Sequence, residues 1–209
     1  MKMTNALLAC VLIGSAAAAQ MTAAPPPKPA AVRDPAAAAA GKYQLDTRHT
    51  SIIARVGHGG MVSFSTFRFG TATSTLDWDS GDPARSRLDV TVDMTSIATP
   101  VPNFASELVG DRFLKTATFH DATFVSTGIE RTGATTGRIN GNMTFMGVTK
   151  PMTIEASLVG AGKSMRGGDV IGFSGKARFK RSDFGFTAMS SVIGDEIELN
   201  LDVEYDKVP

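Results

Sequence analysis

The stretch NGNMTFMGVTKPMTI, residues 140–154, consists of two alternating runs around a tight connection. Met143 and Phe145 share one side before the connection, and Met152 and Ile154 share one side after it. A period of two belongs to a β-strand with one apolar face. Residues 147–151, Gly-Val-Thr-Lys-Pro, read as the connection, so the stretch is a hairpin. Almost no group in it could do chemistry. The question it poses is what its apolar side faces.

The same period continues in both directions. In 86–94, Leu88, Val90, Val92 and Met94 alternate with Asp89, Thr91 and Asp93. In 195–205, Ile197, Leu199, Leu201 and Val203 alternate with Glu196, Glu198, Asn200, Asp202 and Glu204. Phe173, Ala177 and Phe179 alternate with Ser174, Lys176 and Arg178. Turn signals recur at 80–83, 131–137 and 163–169. The reading is about eight antiparallel strands with one wet and one buried face. The main interruption is 102–119, where Asn103 or Ser106 could cap a short helix. Strands of this kind close into a barrel or pair as a sandwich, since either avoids open edges.

Ahead of the strands the composition changes. Residues 1–19 carry a short basic start, an apolar run and Ala17-Ala18-Ala19, the pattern of a secretory signal peptide cleaved near Ala19. The rival reading makes Cys10, the single cysteine, a lipoprotein anchor; Leu8 fits a lipobox poorly. Residues 20–41 are mostly Ala and Pro and read as an extended linker, so the folded domain is expected over 42–209. No transmembrane helix follows, and the expected location is the periplasm or the exterior. A formal charge of +1 gives no field to recruit nucleic acid or an anionic membrane.

Candidate chemistry is sparse. His49, His58 and His120 are the only histidines. Asp46 lies three residues before His49, a spacing that opposes the two on a strand unless the strand ends there. His49 and His58 lack the further ligands of a metal site. Gly-Phe-Ser-Gly at 172–175 sits inside a strand and not at a nucleophile elbow. A hydrogen-bonded place near a strand end is the preferred reading for each histidine. The expectation is a protein with no catalytic residues, no metal and no cofactor.

Several blocks then match a known family in order. They are YQLDTRHTSI (43–52), VGHGG (56–60), TLDWDSGDPARSRLDVTVDMTSIATP (75–100), LVGDRFLKTATFHDATFVST (108–127), INGNMTFMGVTKPMTIE (139–155), FKRSDFGF (179–186) and GDEIELNLDVE (194–204). The chain resembles the YceI-like proteins over 43–205. It departs from their usual pattern at Lys115, often Asp there, at His120, often Pro, and at Met146, often His or Asn.

The resemblance implies an all-β fold, an extended eight-stranded antiparallel lipocalin-like β-barrel with a short helix between strands. It also implies a bacterial, periplasmic or secreted setting and an apolar tunnel for a long isoprenoid or another amphiphile: a polyprenyl chain, an isoprenoid quinone or a fatty-acid derivative. A homodimer is consistent with it. Twelve Phe and ten Met suit such a tunnel, though apolar stripes more often fill a core. The expected lining residues are Phe67, Phe69, Phe104, Leu108, Phe113, Phe119, Phe124, Met143, Phe145, Phe173, Phe186 and Met189. Arg112 and Arg181 are the candidates for a polar head group, because guanidinium donates to phosphate or quinone oxygens. Other readings are a stress-response or partner-binding barrel with a filled core, an enzyme using His49 or His58, and an outer-membrane barrel. The last would need aromatic girdles that one Trp and two Tyr do not supply.

Overall fold

The computed structural model describes residues 30–209. The signal-segment and Cys10 readings lie outside them. The strands are β1 (Ala30–Val32), β2 (Gly41–Leu45), β3 (Ser51–His58), β4 (Ser63–Phe69), β5 (Ala72–Trp78), β6 (Arg87–Asp93), β7 (Ile97–Ala98), β8 (Asp121–Arg131), β9 (Thr136–Phe145), β10 (Val148–Lys163), β11 (Asp169–Lys180) and β12 (Ile193–Lys207). The helix α1 covers Phe104–Leu108. All pairings are antiparallel, and they close a barrel of eight staves. Three staves are broken strands, β2 with β3, β4 with β5, and β6 with β7. The others are β8, β9, β10, β11 and β12. The last stave seals the ring by pairing β11 on one side and both β2 and β3 on the other.

The breaks have local causes. Asp46 Oδ1 accepts from Arg48 N at 2.9 Å, and Asp93 Oδ1 accepts from Thr95 N at 2.7 Å. Each carboxylate thereby holds a 3-10 turn, Thr47–His49 and Met94–Ser96. The third break, Gly70-Thr71, is tied to the second, with Thr71 N donating to Ser96 Oγ at 3.0 Å. A strand shifted by one residue turns its apolar side outward. The breaks perform that shift where the pattern requires it. Tyr43 and Leu45 are buried before the first break, and Ile52, Ala54 and Val56 after it. Irregular register between Ser126 and Gly128 and between Leu158 and Gly160 does the same in β8 and β10.

Two local expectations are corrected. The 147–151 connection is shorter than read. Its turn is Met146-Gly147, with φ of 49° and 77°, and Phe145 pairs directly with Val148. Positive φ at both central residues is the hairpin turn that matches strand twist, so residues 148–151 belong to β10. Pro151 is accommodated because β11 pairs β10 only from Glu155 onward. Counted from the turn, its pair with Asn142 is a non-hydrogen-bonded one, which turns the missing N–H toward that free edge. At α1, Asn103 occupies the cap position but at φ 63° and without a side-chain cap bond; Ser106 Oγ instead donates to the Asn103 carbonyl at 2.6 Å.

The Ala/Pro-rich segment also differs from a free spacer over its described part. β1 pairs with β10, Ala30 opposite Lys163, in the place where β9 has ended. Ala38 is fully buried. Alanines this small need no deep pocket. A ledge left by a shorter neighbouring strand suffices to seat them.

Between the turns that follow β11 and precede β12, the chain folds back over one barrel end. Arg181 holds it there. Its Nε donates to Gly194 O at 2.9 Å, Nη1 to Phe186 O at 3.1 Å and Ala188 O at 2.7 Å, and Nη2 to Ile193 O at 3.1 Å. The side chain is buried, and desolvation pulls its pKa below the ordinary arginine value. A lysine cannot reproduce this fork. Arg181→Lys is expected to lower unfolding free energy by about 2–4 kcal/mol, read from the urea midpoint.

At the opposite end both tyrosines are buried. Tyr43 OH donates to Ala39 O at 2.6 Å. Ser74 Oγ donates to Asp89 O at 2.7 Å, which leaves Tyr205 OH as the donor in its 2.8 Å bond to Ser74. Burial pushes both phenols up from 10.0 to about 12, with Asp169 adding to the effect at Tyr43. A folded-state pKa raised above the unfolded value gives stability that is present below about pH 10 and lost as pH rises toward 12. Tyrosinate absorbance should therefore stay flat past pH 10 and rise together with loss of β-structure. A free-tyrosine titration curve in the folded protein would contradict it.

Candidate functional site

The barrel is not filled. A cavity of about 570 Å³ occupies the end where the 59–62 hairpin, the 99–120 segment and the 181–192 segment gather. This is within the range of small-molecule sites. Its walls are inward positions of the staves: Ile52, Ala54 and Val56 of β3, Val90 and Val92 of β6, and Ile197, Leu199 and Leu201 of β12. Phe104, Leu108 and Phe113 close it from the 99–120 segment, and Phe186, Ala188 and Met189 from the 181–192 segment. His58, Val101 and Met189 are exposed lining residues, so the cavity reaches the surface between these loops.

Phe145 is an aromatic hub on this wall. Its ring meets Phe184, Phe179 and Phe186 edge-on, with centroids 5.8, 6.1 and 6.1 Å away. Offset edge contacts of this kind fix ring orientation. Polar side chains on the wall are confined to His58, Ser65, Thr123 and Arg181.

A second cavity of about 150 Å³ lies toward the other end. Ile52, Val90, Ile154 and Leu201 line both, so the two are in series along the barrel, separated by this waist. Trp78 and Phe173 pack edge-on in the smaller one at 5.9 Å. Trp78 Nε1 is buried with no hydrogen-bond partner among the described residues.

Ten of the residues singled out from the sequence stand on the larger cavity: Phe67, Phe69, Phe104, Leu108, Phe113, Phe124, Met143, Phe145, Phe186 and Met189. The other four stand differently. Phe173 belongs to the smaller cavity. Phe119 packs beneath the β9–β10 turn, where a Cβ on Gly147 would come within 2.7 Å of its ring. Arg112 is exposed and lies 5.5 Å from the Phe113 ring centroid, off the wall. Arg181 is on the wall, but four of its five N–H groups serve backbone carbonyls, so it is a strut and not a free head-group donor. The aliphatic wall of β3, β6 and β12 was not singled out, although strand parity marked it.

The ionisable groups collect elsewhere. The strand does end before His49, and its Nδ1 lies 2.8 Å from Asp46 Oδ2. Arg48 occupies the same carboxylate, Nε to Oδ1 at 3.1 Å and Nη2 to Oδ2 at 3.0 Å. The Arg48 hydrogen bond holds Asp46 far below the usual carboxylate range, with burial opposing and His49 assisting. Asp46, His49 and Glu204 offer three ligand atoms to a cation, as do Asp93, His120 and Asp121. The first set already carries a guanidinium, and the second set is surface-exposed or half-buried. Hydrogen bonding to Asp121, then the charge of Asp93, raises the His120 pKa. Neither set lines either of the two cavities. Ser174 donates to Asp202 Oδ1 at 2.7 Å in mid-strand, with no elbow around it.

Comparison with known proteins places these features in a family. The model of the YceI-like domain matches residues 43–205. A UPF0312 protein of Shewanella oneidensis is 37% identical over 172 residues, covering 81% of this chain and 90% of the relative. The crystal structure of a Campylobacter jejuni YCEI protein superposes with a TM-score of 0.64 at 30% identity, covering 71% of this chain and 88% of that one. A polyisoprenoid binding domain from Saccharophagus degradans shares the fold at a TM-score of 0.57 and 16% identity, over 79% of this chain and 98% of that one. By domain match, by sequence and by barrel, this chain belongs to the YceI-like family.

Proposed function

We propose that the protein is a non-enzymatic carrier that holds a long apolar chain, an isoprenoid or similar amphiphilic lipid, in the larger cavity. The observation that carries this reading is an unfilled, almost wholly apolar space with a surface opening. The name of the Saccharophagus degradans domain supports the polyisoprenoid class. Burying a CH2-sized group contributes about 0.8 kcal/mol, so a five-carbon isoprene unit contributes on the order of 4 kcal/mol before ordering costs. A few units suffice for tight binding without a positioned charge, which suits a wall whose one guanidinium is already engaged. The signal-like residues 1–19 support a place of work in the periplasm or outside the cell.

Native mass spectrometry of protein expressed with its leader, followed by solvent extraction, tests the reading. A lipid at about one per chain is the expected result; a protein that stays empty when offered quinones and polyprenols would instead support a surface-acting module. Ala54→Phe, which fills the cavity from β3, should abolish the bound species while leaving the fold intact. Phe145→Arg should also abolish it, although breaking the aromatic hub will weaken the barrel as well.

The waist sets a length limit. Truncation at Ile154 or Leu201, both shared by the two cavities, should join them and shift the bound population toward longer chains. Ile154→Ala retaining the wild-type chain-length distribution would place the ligand wholly above the waist.

A further inference from the structure

The two ends of the barrel differ in charge. At the end away from the large cavity, the connections are DSGDPARSR (79–87), ERTGATTGR (130–138) and KSMRGGD (163–169), each carrying several charges. At the cavity end, three segments contain no Asp, Glu, Lys or Arg: 56–67, 94–106 and 184–194. These segments frame the opening, through His58, Val101 and Met189. Charges resume at the flanks of these segments, at Arg55 and Arg68, at Asp93 and Glu107, and at Asp183 and Asp195.

The tips of these three segments are apolar and exposed. Val62 is 87% exposed and Met61 64%, with Phe64, Val101, Met189 and Val192 also outside. Phe64 is covered on one ring face by Arg55. Two of the tips are joined directly, since Gly59 N donates to Val192 O at 2.8 Å and Ile193 pairs with His58, and the third reaches the same opening through Val101. Each segment also holds a non-glycine residue in the left-handed region, Met61, Asn103 and Met189. That conformation costs on the order of 1 kcal/mol or more per residue, and it is concentrated at this end.

Resting on the carrier reading above, we propose that this uncharged rim docks on the surface of a zwitterionic lipid bilayer, setting the cavity mouth against the lipid. A chain whose every CH2 resists water by about 0.8 kcal/mol needs a short aqueous path between membrane and cavity. Loop tips standing apart around an opening can dip among head groups, and the absence of charge removes the penalty for doing so. A second copy seated on the rim would instead shut the mouth against the phase that supplies the chain. The docking is driven by apolar contact and is insensitive to salt.

The test uses phosphatidylcholine vesicles with and without brominated acyl chains. The tryptophan introduced by Val62→Trp should be quenched by the brominated vesicles equally at low and high salt, while the native Trp78, buried at the far end, is not. In a second measurement the double variant Val62→Glu with Val192→Glu, both off the cavity wall, should take solanesol from vesicles at least tenfold more slowly. Its uptake of solanesol from detergent solution should equal that of the unaltered protein. Absent quenching overturns the docking, as does undiminished transfer by the double variant. A dimer split by Val62→Glu without vesicle quenching overturns it in favour of a copy-to-copy interface. Quenching without any solanesol uptake, even from detergent, upholds the docking and rejects the polyprenol ligand.

Discussion

Everything in this fold depends on β12 finding partners on both edges. Its ladder with β11 runs from Val170 opposite Asp206 to Lys180 opposite Glu196 without a slip. Its other edge receives β3 and then β2, the beginning of the barrel chain. A sheet of this length left open would expose two edges of unpaired N–H and C=O groups. Closing it removes those edges and fixes the interior width, whatever occupies the interior. The barrel can therefore remain a barrel around an empty space, because ladder hydrogen bonds carry what core packing carries elsewhere.

The space survives for a second reason. The aromatic side chains are not spread evenly round the walls. They cluster at Phe145 with Phe179, Phe184 and Phe186, and at Phe104 with Phe113. Among the facing staves, β3 and β6 bring shorter groups, Ala54, Val56, Val90 and Val92, on either side of Phe67 and Phe69 of β4. The 185–194 return, pinned by Arg181, keeps the covering segment from collapsing inward. The strand breaks at Asp46 and Asp93 keep the apolar side facing in along the whole stave. Each device is small, and together they maintain a dry lumen in a closed sheet.

Much of this was legible in the chain. Period-two alternation marks the strands, and parity alone distinguishes Leu199 from Asn200. Aromatic residues near the motif blocks pointed to the cavity because large rings at inward positions must border it. Position along the barrel axis is not legible in the same way. Phe173 faces inward as its parity says but stands at the smaller cavity, and Phe119 precedes β8, outside any strand, against the β9–β10 turn. The bracing role of Arg181 is not legible because its partners are backbone carbonyls of residues 186–194, a convergence that no side-chain pattern records. The aliphatic wall was passed over since Ile52 or Val90 looks the same whether it packs a core or borders a void. Barrel and sandwich share one alternation, and the family resemblance, not the period, separated them.

The ledge that seats β1 has a consequence for orientation. β1 runs antiparallel to β10, with Ala30 beside Lys163 near the charged turn and Val32 deeper along the stave. Ala30, the first described residue, therefore stands at the pole opposite the cavity mouth. A reporter or surface linkage attached at Ala30 itself would sit at the charged pole, away from the opening. Immobilising the barrel through a linkage at Ala30 would present the mouth outward, a ready geometry for measuring lipid exchange on a sensor.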